Sequence, residues 1–164
     1  MKGLTVEIGN TDAEGRLVMC DVMTYVQRNY KPKKMIDIAT LTGACMVALG
    51  VEQGGLFTMD DDMAADLLKC GKDSFEEFWR LPITDEHRDT MKAGQADLNN
   101  MGKSRFGGAS QAAAFLENFV EEGVTWTHLD IAGPAIMASP TPPKCANGKG
   151  FGTQCLIEYI TTKL

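Results

Sequence analysis

The spacing of hydrophobic and polar residues at the start of the chain predicts a strand and then a helix. Leu4 to Gly9 alternates apolar and polar residues, a period of two that indicates a strand with one buried face. A polar loop follows at Asn10 to Ala13. From Glu14 to about Asn29 the apolar residues recur at helical spacing, and Pro32 ends the pattern. The chain is therefore predicted to open with a strand, a loop and a helix.

Strand and helix patterns alternate along the rest of the chain. Further strands are predicted at residues 35–41, 54–59 and 124–131, and further helices at residues 45–49, 60–72, 75–81, 110–120 and 151–163. Residues 84–108 and 133–150 are predicted to be loops, the first with room for one short helix. Such alternation favours an α/β fold whose sheet is mixed, mostly parallel and covered by helices on both faces. Because the 164 residues contain no repeat, linker or low-complexity tract, a single domain is predicted for residues 1–164.

The composition narrows the classes of function. With 44% hydrophobic and 23% charged residues the chain is typical of a soluble globular protein, and its net charge of -6 disfavours nucleic acid as a partner. No apolar run approaches the ~18 residues that a membrane span needs, and the opening strand pattern leaves no place for a secretory signal. Five cysteines without a C-x-x-C pair are typical of reduced, packed thiols. Together these features predict a cytoplasmic protein that is not associated with a membrane.

The densest polar cluster lies between the first predicted strand and the first predicted helix, at Asn10 to Arg16. In an α/β sheet, ligands collect in the crevice outside the carboxyl ends of the strands, where this cluster is placed. In an extended loop, Asp12, Glu14 and Arg16 would project to one side, because side chains alternate across an extended backbone. Neighbouring carboxylates must bind cations or shift their pKa, and a divalent metal relieves their repulsion most completely. The arginine would then hold an anion beside that metal.

The same letters support a purely structural alternative. Thr11 and Glu14 have the spacing of a T-x-x-E capping box, in which Thr11 caps the helix and Glu14 reaches back to the Thr11 amide. Asp12 would then lie favourably at the positive end of the helix dipole. On spacing alone this cap is favoured over a metal site, and the residues by themselves leave both alternatives open.

The histidines give weaker signals. His128 lies in an alternating strand with no second histidine nearby, so a packed, hydrogen-bonded side chain is favoured over a metal ligand. His87 lies in a charged stretch and is predicted to be solvated. Ser110 and the cysteines have no paired base at a recognisable spacing, so no nucleophilic role is assigned to them.

The segment from Val6 to Leu17, with the letters NTDAEGRL at residues 10–17, resembles the diagnostic segment of the leucyl (cytosol) aminopeptidase family of di-metal exopeptidases. The similarity continues in order along the chain through DIATLTGA at 37–44, ADLNN at 96–100, FGGAS at 106–110 and HLDIAG at 128–133. It covers nearly the whole chain, and an eight-residue match supported by four others in register is highly specific. The resemblance therefore favours the metal role for the two carboxylates.

The resemblance implies a role for each matching residue. Asp12 matches a residue that binds one metal through its side chain and its backbone carbonyl, and Glu14 matches the carboxylate that bridges both metals. Arg16 matches the catalytic arginine, which holds a bicarbonate ion that takes a proton from the metal-bridging water. Gly15 and Leu41 would help to frame that anion.

The resemblance also implies a substrate pocket and a reaction. Leu41, Thr42 and Gly43 would line the place of the substrate's amino end and first side chain, and Ala132 would form part of the pocket wall. The expected activity is that of a metal-dependent aminopeptidase that releases N-terminal residues, leucine-like ones preferred, from peptide substrates. The expected cofactors are two divalent metal ions, Mn²⁺ or Zn²⁺ with Mg²⁺ as a third candidate, and bicarbonate. Since members of the family form hexamers, a homo-oligomer is expected.

The sequence departs from the family pattern in one respect. Members carry, upstream of NTDAEGRL, a Gly-Lys-Gly stretch that leads to Phe-Asp-Ser-Gly-Gly and supplies the metals with a lysine and two aspartates, while a second lysine stabilises the oxyanion. This sequence contains no such stretch. It therefore resembles the C-terminal part of the catalytic domain, and the chain alone is expected to have little or no peptidase activity. A non-catalytic fragment or assembly subunit of an aminopeptidase hexamer, or a shortened gene product, is the alternative.

Overall fold

Strands and helices alternate in the structure, which is a computed structural model that describes residues 1–137 and 147–163. The strands are β1 (Val6–Glu7), β2 (Lys34–Ala39), β3 (Gly54–Phe57), β4 (Phe78–Arg80), β5 (Leu98–Asn99), β6 (Thr125–Asp130), β7 (Ile136–Met137) and β8 (Asn147–Gly148). The helices are α1 (Glu14–Tyr30), α2 (Gly43–Leu49), α3 (Asp61–Asp73), α4 (Asp85–Thr90), α5 (Gly108–Glu117) and α6 (Thr153–Lys163). None of these helices is long and apolar enough to cross a bilayer.

The chain forms two compact units. The first contains residues 1–35 and 82–126, and the second contains residues 36–81 and 127–164, of which 138–146 and 164 lie outside the described residues. Each unit is discontinuous in sequence, since the chain leaves the first unit and returns to it. The single domain that is predicted for residues 1–164 stays a prediction.

In the first unit, β1 and β5 pair in parallel, with Val6 opposite Leu98 and Glu7 opposite Asn99. Strand β1 is much shorter than the strand predicted at residues 4–9. The prediction of one buried face is wrong for Leu4 and Ile8, which are 38% and 61% exposed. β5 pairs with only two residues of β1, Val6 and Glu7, so Leu4 and Ile8 lie outside the paired strand.

The core of the first unit is built on α5, all of whose side chains from Ala109 to Leu116 are buried. Helix α1 packs there through a mixed face. Its buried Gln27 donates from Nε2 to the carbonyl of Phe119 at 2.9 Å and accepts from the backbone N–H of Glu121 at 2.7 Å. These bonds satisfy the donor and acceptor groups of an amide that is buried beside the apolar core. They hold α1 in one orientation within the unit.

Most of a four-stranded sheet, with strand order β2-β6-β3-β4, lies in the second unit. Strand β3 runs parallel to β4 and antiparallel to β6. Strands β2 and β6 end at the same edge, where the N–H of Ile131 donates to the carbonyl of Ala39 at 2.9 Å, so these two run parallel. The sheet is mixed and mostly parallel, and the predicted α/β fold class is confirmed.

Helices cover both faces of this sheet within the second unit. On one face, Leu56 and Leu129 pack in a buried cluster with side chains of α3 and α6, among them Met63, Leu67 and Tyr159. On the other face, α2 approaches so closely at Gly55 that an added Cβ would lie 2.8 Å from the Sγ of Cys45. A glycine at this position therefore permits the contact between helix and strand.

The prediction of a helix at residues 75–81 is wrong, because α3 stops in a C-terminal cap and the chain continues as β4. The N–H of Glu76 donates to the carbonyl of Gly71 at 2.8 Å, and that of Phe75 to Lys72 at 3.3 Å. Phe75 takes the left-handed position of this cap, with a φ of 60°. Phe78 is then buried opposite Gly54 of β3, so pairing with the sheet outweighs the helical spacing of the apolar residues.

Two predicted loops contain short elements. Residues 84–108 include α4 and β5, which agrees with the room left for one short helix. Residues 133–150 include β7 and β8, which pair antiparallel, so the prediction of an irregular loop is wrong at these two strands. Residues 138–146 of that loop lie outside the described part of the chain.

Candidate functional site

Asn10 caps the short 3₁₀ turn in the loop that follows β1. The turn spans Thr11–Ala13, and the Asn10 side chain accepts a hydrogen bond from the backbone N–H of Asp12 at 2.9 Å. Ala13, which precedes α1, makes no side-chain capping bond. Asn10 rather than Thr11 is thus the capping residue at this turn, and the T-x-x-E arrangement is not the one that the structure describes.

Three of the predicted site residues project from this loop and the first turn of α1. Asp12 and Glu14 are exposed, whereas Gly15 and Arg16 are half-buried. The Nη1 of Arg16 donates to the backbone carbonyl of Asn100 at 2.6 Å, which orients the guanidinium. The structure thus brings two exposed carboxylates and an anchored arginine onto one short segment of the first unit.

These carboxylates fit a divalent cation as part of a ligand set. Their oxygens are hard donors of the kind that Mn²⁺ and Mg²⁺ prefer, and the capping of the turn does not depend on them. Within residues 1–137 and 147–163, no group of three or more His, Cys, Asp and Glu side chains could hold a metal ion.

Asn100 is a residue of this site that the sequence analysis did not single out. It is fully buried and makes hydrogen bonds to the loop between Gly9 and Ala13 as well as to Arg16. The only signal in the sequence was its place in the ADLNN stretch, which carried no role. A buried amide in a polar, glycine-bearing segment has no periodic pattern that would reveal it.

In the second unit, Asp130 organises the predicted pocket residues. Its Oδ1 accepts from the backbone N–H groups of Leu41 at 3.1 Å, Thr42 at 3.4 Å and Ala132 at 3.2 Å. Its Oδ2 accepts from the hydroxyl of Thr42 at 2.7 Å. A single buried carboxylate therefore brings Leu41, Thr42 and Ala132 together, although the sequence analysis assigned Asp130 no role.

The residues on either side of Thr42 complete this cluster. The Thr42 hydroxyl oxygen caps α2 by accepting from the backbone N–H of Cys45 at 3.1 Å. Gly43, the first residue of α2, faces open space, since an added Cβ would meet no atom within 4 Å. Burial, together with the negative charge of Asp130, raises the pKa of the Cys45 thiol to about 12, so this cysteine is a packing residue and not a nucleophile.

The described structure settles the position of each predicted residue. Asp12, Glu14, Gly15 and Arg16 lie together in the first unit, whereas Leu41, Thr42, Gly43 and Ala132 lie together in the second. Their predicted roles toward metal, bicarbonate and substrate stay predictions.

Both histidines have protein partners. His128 is fully buried, its Nδ1 is hydrogen-bonded to the carboxylate of Asp37, and its ring stacks on Phe57 with 5.6 Å between centroids. The prediction of a packed, hydrogen-bonded His128 is confirmed. His87 is half-buried, and its Nδ1 accepts from the backbone N–H of Thr84 at 3.1 Å, so it caps α4 instead of being simply solvated.

The chain is similar to known proteins over nearly its whole length. The family model described as the cytosol aminopeptidase family, catalytic domain, matches residues 1–157. A protein of Chlorobium phaeobacteroides with the name "Probable cytosol aminopeptidase" is 47% identical over 158 residues, which are 96% of this chain and 31% of that protein. One of the same name from Nitratidesulfovibrio vulgaris is 47% identical over 161 residues, 98% of this chain and 32% of that protein.

A solved structure gives the same result. A mutant of tomato leucine aminopeptidase matches with a TM-score of 0.88 at 43% identity, covering 96% of this chain and 30% of that one. The chain thus spans about a third of the length of the relatives that it matches.

Proposed function

Because the chain belongs to the cytosol aminopeptidase family, we propose that it carries the Asp12, Glu14 and Arg16 part of a metal-dependent aminopeptidase site. The observation that carries the proposal is the loop after β1, which presents two exposed carboxylates while Asn10 satisfies the cap. A helix start whose carboxylates are not needed for capping leaves both groups available as ligands.

In this proposal each residue of the loop has one task. Asp12 and Glu14 hold the divalent ions, Mn²⁺ or Zn²⁺, and bound ions of this kind lower the pKa of water and polarise a scissile carbonyl. Arg16 is held at the carbonyl of Asn100 and orients bicarbonate through its guanidinium, while Gly15 leaves room for that anion. Bicarbonate held by Arg16 would supply a proton acceptor at this place in the site.

Leu41, Thr42, Gly43 and Ala132 are proposed to receive the N-terminal residue of the peptide. The open space at Gly43 supports this role. So do the hydrogen bonds by which the carboxylate of Asp130 joins the Leu41 and Ala132 segments. A leucine-like side chain is the preferred substrate, although an apolar pocket separates side chains that differ by one methylene only weakly.

The test is metal binding combined with an activity assay. Mn²⁺ is titrated into the chain and followed by electron paramagnetic resonance, and weak binding is expected that Asp12→Asn and Glu14→Gln each abolish. Asp62→Asn is the matched control, because Asp62 is also an exposed aspartate in the first turn of a helix. Unchanged binding in the two loop variants would contradict the proposal.

The chain alone is expected to hydrolyse leucine 4-nitroanilide slowly or not at all, even with Mn²⁺. Two carboxylates leave a metal with mostly water ligands, and two metals need more than this chain's loop supplies. Mn²⁺-dependent turnover that Glu14→Ala removes would refute the expected inactivity and assign full peptidase activity to the chain itself.

The second candidate function is that of a non-catalytic fragment or assembly subunit in an aminopeptidase hexamer. It is favoured by the loop after β1, where this chain brings together two exposed carboxylates, Asp12 and Glu14. Native mass spectrometry of the chain mixed with the Chlorobium phaeobacteroides relative discriminates the two. Mixed oligomers without metal binding by this chain favour the assembly role. We further propose a cytoplasmic location, which the names of the relatives support.

A further inference from the structure

The side-chain amide of Asn100 is hydrogen-bonded to both ends of the loop that carries Asp12. Its Oδ1 accepts from the backbone N–H of Gly9 at 2.9 Å and from that of Asn10 at 3.2 Å. Its Nδ2 donates to the carbonyl of Asn10 at 2.7 Å and to that of Ala13 at 3.4 Å. One planar group therefore accepts from the backbone N–H groups of Gly9 and Asn10 and donates to the carbonyls of Asn10 and Ala13.

The backbone of the same residue fixes the elements on either side of the loop. The Asn100 N–H donates to the carbonyl of Glu7 in β1 at 3.0 Å, and its carbonyl accepts from the Nη1 of Arg16 in α1 at 2.6 Å. Asn100 is thus bonded to the strand before the loop, to the loop itself and to the helix after it. The backbone of the loop from which Asp12 projects is therefore anchored at several points.

The chemistry of the amide matters as much as its size. Asn100 is 0% exposed, so water does not replace a lost partner easily. An apolar side chain of the same shape would leave two backbone N–H groups unsatisfied, and a carboxylate would offer acceptors but no donor to the carbonyl of Asn10. Of the common side chains, asparagine supplies both a donor and an acceptor within this short reach.

We propose that Asn100 is a positioning residue that holds Asp12 and Glu14 in the arrangement in which their carboxylates bind a divalent cation. The inference rests on the proposed function, because it assumes that these two carboxylates are metal ligands. Ligand oxygens must come within about 2.0–2.6 Å of a Mg²⁺ or Ca²⁺ ion, so a loop that drifts by an ångström loses one of its two ligands. Metal affinity should then depend on a residue that never touches the metal.

The experiment measures Mn²⁺ affinity by electron paramagnetic resonance in the wild-type chain and in Asn100→Ala. Mn²⁺ binding to Asn100→Ala is expected to be about tenfold weaker, which corresponds to one or two lost anchoring bonds. Hydrogen exchange should show in parallel that the Gly9 and Asn10 amides lose protection, while amides in α5 keep theirs. Asn118→Ala is the control, since Asn118 also donates two side-chain hydrogen bonds in the first unit but far along the chain from the loop.

The outcomes separate the inference from the function on which it rests. If wild-type binding depends on Asp12 and Glu14 but Asn100→Ala binds equally well, the positioning role is overturned and the proposed function stands. If the wild-type chain binds no Mn²⁺ at these carboxylates, both are overturned. If Asn118→Ala weakens binding as much as Asn100→Ala, the effect is general destabilisation and the positioning role is overturned.

A second variant serves if Asn100→Ala does not fold. Asn100→Asp keeps the acceptor for the Gly9 and Asn10 amides but sets an oxygen against the carbonyl of Asn10. Added negative charge alone would tighten Mn²⁺ binding, whereas the positioning role requires weaker binding because the loop shifts. Tighter binding by Asn100→Asp would overturn the inference.

Discussion

The hydroxyl of Thr42 links the start of α2 to the end of β6, since it donates to the buried carboxylate of Asp130 at 2.7 Å and accepts from the N–H of Cys45 at 3.1 Å. One side chain is therefore both a helix cap and a partner of the carboxylate that gathers the Leu41 and Ala132 segments.

Replacing Thr42 by valine should destabilise the second unit by about 1–3 kcal/mol, because the variant loses a helix cap and leaves a buried carboxylate short of one donor. Thr42→Ser keeps the hydroxyl and should lose much less. Urea unfolding of both variants measures the difference in free energy of unfolding. A loss in Thr42→Ser as large as that in Thr42→Val would contradict the assignment of this effect to the hydroxyl.

Phe75→Gly should stabilise the protein by about 1 kcal/mol. Phe75 has a φ of 60°, a conformation that glycine adopts without steric cost, and its side chain is 94% exposed, so little packing is lost. Phe75→Ala is the matched control, because it removes the same ring but retains a Cβ. If alanine stabilises as much as glycine, the gain comes from removing an exposed aromatic ring and not from relief of backbone strain.

Asp97→Asn should make the stability of the chain less sensitive to acid. The Oδ2 of Asp97 accepts from the backbone N–H and the hydroxyl of Thr5, both at 2.7 Å, and these bonds lower the pKa of Asp97 below its ordinary value. A carboxylate with a lowered pKa in the folded state contributes stability above its unfolded pKa of about 3.9 and loses it as the pH falls through the folded value.

The measurement is the difference between urea midpoints at pH 6 and at pH 3. This difference should be smaller in Asp97→Asn than in the wild-type chain, because the variant has no charge at this position to neutralise. The same difference in both proteins would mean that ionisation of Asp97 does not contribute to the pH dependence of stability.

Cys45 and Cys155 should resist alkylation at pH 8 until the chain is unfolded. Burial raises the pKa of each thiol to about 12, and the charge of Asp130 adds to the effect at Cys45. Since the thiolate is the reactive form, the raised pKa protects both thiols from alkylation, and their burial protects them further. Iodoacetamide labelling with and without urea, read by peptide mass spectrometry, tests this. Rapid labelling of Cys45 without urea would contradict the structure around Asp130.

The order of strands and helices could be predicted from hydrophobic spacing because most elements bury one face at a regular period. The structure of residues 75–81 could not be predicted in this way. The spacing of Phe75 and Phe78 fits a helix, but pairing with β3 makes residues 78–80 a strand. The same holds for Leu4 and Ile8, which lie outside the two residues of β1 that pair with β5 and are exposed in spite of their alternation.

The candidate site could be predicted where its residues are close in sequence and exposed. Asp12, Glu14 and Arg16 share one motif of eight letters, which the resemblance identifies although spacing alone favours a helix cap. Asn100 and Asp130 could not be found in this way, because they act on segments about 90 residues away, through hydrogen bonds that leave no periodic trace. Buried polar residues that position a site are revealed only when the chain is folded.

The carboxylates of Asp12 and Glu14 are proposed to bind a divalent metal ion. Anomalous diffraction at the manganese edge, from crystals grown with millimolar Mn²⁺, locates such an ion directly. A peak is expected within coordination distance, about 2.0–2.6 Å, of an oxygen of each side chain, and no such peak is expected in crystals of Glu14→Gln. Well-ordered carboxylates at both positions with no manganese between them would contradict the proposal.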